Sequence, residues 1–125
     1  MKIGFIGTGH ITSSVIEGIF KSKLKIKKIY ISPRNRLISK KLSKKFKKVS
    51  ISKNNQQLIN MANWVFLAVT PKVGHRILKD LSFRKNQKIV SFISTINLEK
   101  LKNIQRIKIL PGLSLYLSLA LEKVL

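Results

Sequence analysis

The sequence contains no cysteine and only two histidines, neither with a carboxylate at metal-ligand spacing. The absence of cysteine excludes disulfides and thiolate metal sites, and the sequence predicts no metal centre. Long apolar runs are also missing, because the longest, residues 109–121, is interrupted by Pro111 and is too short to span a bilayer. The amino terminus is too broken by glycine to form a secretory core. We therefore expect a soluble, cytoplasmic protein with no membrane partner.

Acidic residues are nearly as scarce, since four Asp and Glu stand against 26 Lys and Arg, for a formal net charge of +22. Such a charge ordinarily indicates a nucleic-acid or anionic membrane partner. Lysine supplies 21 of the cations, however, and isoleucine and asparagine are frequent, which is the bias of an A/T-rich genome. Aromatic residues at the spacing used to stack on RNA bases are missing. We expect no specific nucleic-acid partner and keep a basic nucleic-acid-binding protein as an alternative.

Short runs rich in β-branched and aromatic residues alternate with helical patterns along the chain. This alternation predicts an α/β fold, a doubly wound parallel sheet of the Rossmann type. Its six predicted strands lie at residues 2–6, 28–31, 49–52, 64–69, 88–93 and 106–110. The nearly continuous apolar runs at 64–69 and 89–93 indicate central strands that are buried on both faces.

Three helices have a recognisable inner face. Apolar residues recur at helical spacing over residues 11–20, which predicts an amphipathic helix after the first strand. A second helix presents the lysines of residues 40–48 to solvent. Its predicted buried face holds Leu37, Ile38, Leu42 and Phe46. Thr70 and Pro71 predict the N-cap and first residue of a third helix, whose inner face holds Val73, Ile77, Leu78 and Leu81.

The first strand runs directly into a glycine turn, Gly7-x-Gly9-x-x-Thr12. Gly7 permits a tight bend, and Gly9 lets the backbone approach a pyrophosphate without a Cβ in the way. The unpaired N–H groups that begin the next helix would then face the anionic oxygens. Thr12 stands where glycine or alanine would let helix and strand pack closely, and it offers a hydroxyl to the phosphates. The turn predicts a dinucleotide site.

The second strand lacks the acidic residue that holds the ribose hydroxyls of NAD in this fold. The segment 32–36, Ser-Pro-Arg-Asn-Arg, stands there instead, and no carboxylate occurs between Glu17 and Asp80. Nothing nearby would repel a 2′-phosphate, and Arg34 can bind one through charge-assisted hydrogen bonds worth about 1.5–3 kcal/mol. We therefore predict NADP as the cofactor, with NADPH preferred over NADH.

Segments 4–9, 32–35, 66–71 and 89–91, followed by 98–101, occur in the order and at the separations of one known domain. Through them the first 110 residues resemble the cofactor domain of the pyrroline-5-carboxylate reductases. The resemblance implies a dinucleotide-binding domain over residues 1–110 and, over 111–125, a short helical tail that is the start of a missing helical domain. It also implies an oxidoreductase that transfers hydride from NADPH to a cyclic imine in proline biosynthesis.

The resemblance and the glycine motif together place three groups of residues around the cofactor. The pyrophosphate group is Ile6, Gly7, Thr8, Gly9, His10 and Ile11, with Thr12 beside them. The adenosine group is Ser32 and Arg34 at the ribose phosphate, with Asn35 next to them and Asn55 at the adenosine end. The nicotinamide group is Ala68, Val69, Thr70, Pro71, Phe92, Ile93 and Ser94.

No catalytic residue is assigned by these patterns. His10 lies inside the phosphate turn, His75 lies one turn into a helix, and a serine and threonine at 94–95 are typical of helix caps. Thr70 also stands where the family commonly has lysine. The alternative to an enzyme is a non-catalytic or truncated NADP-binding module, whose leucine-rich tail would be exposed and favour a homo-oligomer.

Overall fold

The computed structural model describes residues 1–84 and 86–93, which form a parallel sheet with helices between successive strands. The strands are β1 (Lys2–Ile6), β2 (Lys28–Ile31), β3 (Val49–Ile51), β4 (Trp64–Leu67) and β5 (Lys88–Ser91). The helices are α1 (His10–Lys21), α2 (Arg36–Lys45), α3 (Asn55–Met61) and α4 (Pro71–Leu78). The strand order is β3-β2-β1-β4-β5, and each neighbouring pair is parallel. The Rossmann-like, doubly wound α/β fold predicted from the sequence is confirmed.

The direction of strand addition reverses at β1. From β1 the chain moves outward to β2 and β3, then crosses back to place β4 on the other side of β1 and β5 beyond it. In open parallel sheets, ligands bind outside the carboxyl ends of the strands at such a reversal. The position between the ends of β1 and β4 is therefore where the fold itself points to a site.

The two faces of the sheet bury separate apolar clusters. Ile3 and Phe5 of β1 belong to the cluster beneath α1 and α2, whereas Ile6 belongs to the cluster beneath α3 and α4. Because successive side chains of a strand point to opposite faces, β1 contributes to both layers. Gly4 also faces α3, where a Cβ would meet the side chains of Leu58 and Ala62. The missing side chain lets α3 lie close against β1.

The predicted bounds of β1 and β2 are confirmed, whereas the other three described strands end earlier than predicted. The apolar runs continue past β4 and β5 in different surroundings: Phe92 and Ile93 after β5 are buried, whereas Ala68 and Val69 after β4 are half-buried. Within the described residues β5 pairs with β4, and its Ile89, Val90 and Ser91 are buried, as predicted for this apolar run. The predicted strand 106–110 and the tail 111–125 lie outside the described residues.

One prediction about α2 is wrong, because Leu37 is 83% exposed instead of buried. The inner face of α2 is formed by Ser39 and Leu42, with Ile38 and Phe46 partly covered. At 3.6 residues per turn, Leu37 lies about 140° around the helix from Leu42, which turns it away from the sheet. The helix begins at Arg36 with Asn35 as its N-cap, so Leu37 is the second residue of its first turn and its side chain points outward.

Two side chains from the segment before β5 bind the carboxyl end of α3. Gln87, which is buried, donates through Nε2 to the carbonyls of Ile59 and Ala62, the second at 2.8 Å. Arg84 donates to the carbonyl of Asn60 at 2.6 Å and to that of Ala62 at 3.0 Å. The last carbonyls of a helix have no partner within the helix. These two side chains therefore complete the end of α3 and tie it to β5.

Candidate functional site

A cavity of about 650 Å³ opens at the carboxyl ends of β1, β2 and β4, at the reversal of strand order. Three loops and the first turn of α4 line it. The lining residues are Gly7, Thr8, Gly9, Arg34, Asn35, Arg36, Ala68, Val69, Thr70 and Val73. Eight of them are among the cofactor residues predicted from the sequence. The structure thus brings together the three predicted segments, which are distant in the chain.

Gly7 makes the bend at the end of β1. Its φ is +99°, a backbone conformation that side chains with a Cβ adopt only with strain. A Cβ at this position would also meet the carbonyl group of Ala68, which follows the adjacent strand β4. The predicted role of Gly7 in the turn thus has two independent physical causes, the backbone conformation and the close approach of β4.

Gly9 is the N-cap of α1 and has open space where a side chain would be. A Cβ built on Gly9 has no atom within 4 Å, and no side chain caps the helix with a hydrogen bond. The first N–H groups of a helix lack intrahelical partners and, together with the helix dipole, favour an anion. Gly9 therefore leaves the amino end of α1 open toward the cavity.

Thr8 and Thr12 both turn their hydroxyls inward. Thr8 Oγ1 donates to the carbonyl of Ser32 at 2.7 Å, and Thr12 Oγ1 donates to the carbonyl of Gly7 at 2.6 Å. Thr12 has no exposed surface. The hydroxyl of Thr12 was predicted to reach the phosphates, and the structure shows that it is directed to the Gly7 carbonyl instead.

Ser32 connects the end of β2 to the glycine turn. Its Oγ accepts a hydrogen bond from the N–H of Gly7 at 3.0 Å and donates one to Asn55 Oδ1 at 2.7 Å. Ser32 is 2% exposed, so its side chain lies beneath the cavity and not at the surface of it. Asn55 begins α3 and is half-buried. Of the four predicted adenosine residues, Ser32 therefore supports the turn directly and Asn55 supports it through Ser32.

Arg34 and Arg36 provide the positive charge of the cavity. Both are exposed, and between them Asn35 Oδ1 accepts a hydrogen bond from the N–H of Ile38 at 3.2 Å, which caps α2. In the described part of the chain the carboxylates are Glu17 and Asp80, and neither lines the cavity. Glu17 is instead paired with Lys45, which lowers the pKa of Glu17 by a 2.7 Å hydrogen bond.

Thr70, which lines the cavity, caps α4: its Oγ1 accepts from the N–H of Val73 at 3.5 Å, and Pro71 is the first residue of the helix. The remaining predicted residues do not line the cavity. The other members are Ile6, Phe92 and Ile93, which are buried, and His10 and Ile11, which are exposed at the start of α1. Ser94 lies outside the described residues.

Sequence reasoning did not assign Arg36 and Val73, which also line the cavity. Arg36 stands beside the predicted Arg34, and the signal that would have found it is its place at the first residue of α2. Val73 was predicted as a core residue of α4. Because it lies three residues after the N-cap, its side chain points back toward the loop that precedes the helix.

The comparisons agree with this geometry. Residues 2–98 match the model of the family described as NADP oxidoreductase, coenzyme F420-dependent. The chain belongs to this family. It is 30% identical to pyrroline-5-carboxylate reductase 3 of Danio rerio over an alignment of 125 positions. The alignment covers 90% of this chain and 41% of that protein. The chain thus spans about two fifths of the length of this relative.

Solved structures of two such reductases also superimpose on this chain. The 1-pyrroline-5-carboxylate reductase of Streptococcus pyogenes superimposes with a TM-score of 0.70 and is 28% identical, covering 84% of this chain and 38% of its own. The Plasmodium falciparum pyrroline carboxylate reductase, solved with NADP bound, has a TM-score of 0.67 at 21% identity, covering 83% and 37%. The resemblance to the cofactor domain of these reductases, stated from the sequence, is confirmed.

The described part of the chain contains neither a metal cluster nor a membrane-spanning helix. No group of three or more His, Cys, Asp or Glu side chains in residues 1–84 and 86–93 could hold a metal ion. The same residues contain no helix that is long and apolar enough to cross a membrane. The uncapped start of α1 and the two arginines give the cavity groups that favour an anion.

Proposed function

We propose that this chain is the cofactor domain of an NADP-dependent oxidoreductase of the pyrroline-5-carboxylate reductase type. The observation that carries the proposal is that one cavity is lined both by Gly9, which leaves open space beside an uncapped helix end, and by Arg34 and Arg36. A dinucleotide diphosphate has an anionic centre and, in NADP, a second anionic end. The cavity supplies a matching partner for each.

The division of roles follows from the lining. The turn 7–9 would hold the pyrophosphate, because its backbone N–H groups and the start of α1 favour anionic oxygens. Arg34 and Arg36 would hold the 2′-phosphate on the adenosine ribose. Ala68, Val69 and Thr70, at the end of β4, would flank the nicotinamide side. When bound, NADPH supplies the hydride that reduces the imine carbon, and the protein orients it and excludes water.

The preference for NADPH over NADH is part of the proposal and is supported by charge. Two guanidinium groups line the cavity, and no described carboxylate stands where an acidic residue would bind the free ribose hydroxyls of NAD. Replacing both arginines, as Arg34→Ala with Arg36→Ala, is expected to weaken NADPH binding 10- to 100-fold while NADH binding changes less than about threefold. Hydrogen bonds to a charged group are worth about 1.5–3 kcal/mol, which sets this range. Titration calorimetry with both cofactors measures it.

The matched control is Arg76→Ala, which removes an exposed arginine of α4 that does not line the cavity. This variant is expected to bind both cofactors as the unaltered protein does. Equal affinity of the unaltered chain for NADPH and NADH would remove the proposed preference. Failure to bind either one would remove the proposed function.

A second candidate is a non-catalytic NADP-binding module, which one observation favours. Among the described residues that line the cavity there is no histidine, lysine, tyrosine or carboxyl group that could donate a proton to the substrate. Incubating the chain with NADPH and pyrroline-5-carboxylate distinguishes the two candidates. The enzyme is expected to oxidise NADPH and form proline, whereas tight binding without turnover would identify the module. We further propose a cytoplasmic location, and self-association through the leucine-rich segment 111–125.

A further inference from the structure

Thr12 occupies the third position of the glycine motif and makes a hydrogen bond that leaves its own helix. It is the third residue of α1, it has no exposed surface, and its Oγ1 donates to the Gly7 carbonyl at 2.6 Å. Threonine hydroxyls within a helix ordinarily bond to a carbonyl three or four residues earlier. Gly7 is five residues earlier and precedes the N-cap, so this bond joins the helix to the turn.

The bond determines which way a backbone group of the turn points. In a trans peptide the C=O and the following N–H point in opposite directions. Because the Gly7 carbonyl is held toward Thr12, the N–H of Thr8 is turned away from Thr12. On the other side of Gly7, its own N–H is held by Ser32 Oγ at 3.0 Å. Two buried hydroxyls thus orient both peptide groups that flank Gly7, at the edge of the cavity.

We propose that Thr12 is a positioning residue for the pyrophosphate-binding turn, an inference that rests on the proposed function. Glycine or alanine at this motif position permits close packing of helix and strand but carries no hydroxyl. Thr12 replaces that close packing by a direct hydrogen bond to the turn. The bond sets the orientation of the turn before a ligand arrives, and its loss lowers affinity for ligands that contact the turn.

The experiment compares two ligands on the full chain. NADPH would contact both the turn and the arginines, whereas adenosine 2′-monophosphate carries no pyrophosphate and would contact only the arginine end. Thr12→Val keeps the shape and removes the hydroxyl. We expect it to bind NADPH about tenfold more weakly, which corresponds to about 1.4 kcal/mol, and to bind adenosine 2′-monophosphate unchanged. Thr12→Ser, which keeps the hydroxyl, is expected to bind both ligands within about twofold of the unaltered chain.

Each result decides the inference. An equal loss of affinity for both ligands in Thr12→Val would show a general structural defect and overturn the positioning role, as would unchanged NADPH binding. Should Thr12→Val fail to fold, Thr12→Ala and Thr12→Ser still differ only by the hydroxyl, and equal NADPH affinity of these two overturns the inference. An unaltered chain that binds neither ligand overturns the proposed function first, and this inference with it.

Discussion

Replacing Gly7 by alanine is expected to lower the free energy of unfolding by about 3 kcal/mol. The positive φ of +99° costs a residue with a Cβ about 1–2 kcal/mol, and the close approach of the Ala68 carbonyl adds an overpacking cost of about 1–3 kcal/mol. Domains of this size have a total stability of about 5–15 kcal/mol. Urea denaturation followed by circular dichroism measures the loss. This result does not depend on any ligand.

The matched control is Gly18→Ala in α1. A Cβ at Gly18 has no atom within 4 Å, and the residue is exposed on a regular helix. Alanine is about 1 kcal/mol more favourable than glycine inside a helix, so this variant is expected to be as stable as the unaltered chain or slightly more so. Equal stabilities of the Gly7 and Gly18 variants would contradict the conformation described for the turn.

Gly9→Ala tests ligand binding at the turn while changing the structure of the turn little. Gly9 has extended backbone angles and open space at its Cβ, so alanine is expected to cost at most about 1 kcal/mol of stability, through weaker N-capping. The added methyl group would nevertheless occupy the space assigned to the pyrophosphate. NADPH affinity is therefore expected to fall tenfold or more in a folded variant. Unchanged affinity would mean that the pyrophosphate does not lie against Gly9.

Replacing Gln87 by leucine is the second change with a large expected effect, about 3 kcal/mol of stability. The side chain is 2% exposed, donates to the carbonyls of Ile59 and Ala62, and accepts from the N–H of Arg84 at 2.7 Å. Leucine has a similar volume but makes none of these three hydrogen bonds. The two carbonyls keep other donors, the N–H of Ala62 for Ile59 at 3.3 Å and Arg84 Nη2 for Ala62 at 3.0 Å, so the loss is that of the three bonds themselves. Each such bond is worth about 0.5–1.5 kcal/mol. Thermal and urea unfolding measure the loss.

Gln56 offers a control of the same residue type whose hydrogen bonds are exposed to solvent. Its amide also bonds to backbone, accepting from the N–H of Ser82 and donating to the Ser82 carbonyl, both at 2.9 Å, but these bonds are exposed. Water replaces lost partners there, so Gln56→Leu is expected to cost less than about 1 kcal/mol. If the two variants lose equal stability, burial does not explain the importance of Gln87.

Several predictions that rested on short local patterns were confirmed. The N-cap Thr70 with Pro71 in the first turn, and both ends of β1 and β2, were found as predicted, because capping and strand patterns depend on a few neighbouring residues. The glycine turn was found for the same reason, since its strand and helix adjoin it in the chain. Eight predicted residues meet in one cavity because the fold class determines that successive loops gather at the carboxyl ends of parallel strands.

Predictions that needed the phase of a helix or the direction of a side chain were less accurate. Leu37 is apolar and close to the helical spacing of its neighbours, but the start of α2 at Arg36 turns it to solvent. The Thr12 hydroxyl was predicted to reach a ligand, whereas in the fold it donates to the carbonyl of Gly7. A one-dimensional pattern specifies spacing and does not specify which acceptor lies within reach.

The sequence alone determined the fold class and the loops that form the site, since these follow from periodicity, capping residues and motif spacing, and its resemblance to a known domain indicated the family. Only the tertiary structure decided how the site is supported. Ser32 reaches the turn from 25 residues away along the chain, and Arg36 joins Arg34 at the cavity through the start of α2. Contacts between residues distant in the chain depend on where the sheet and helices place them, and a local sequence pattern does not specify how close two such residues lie in space.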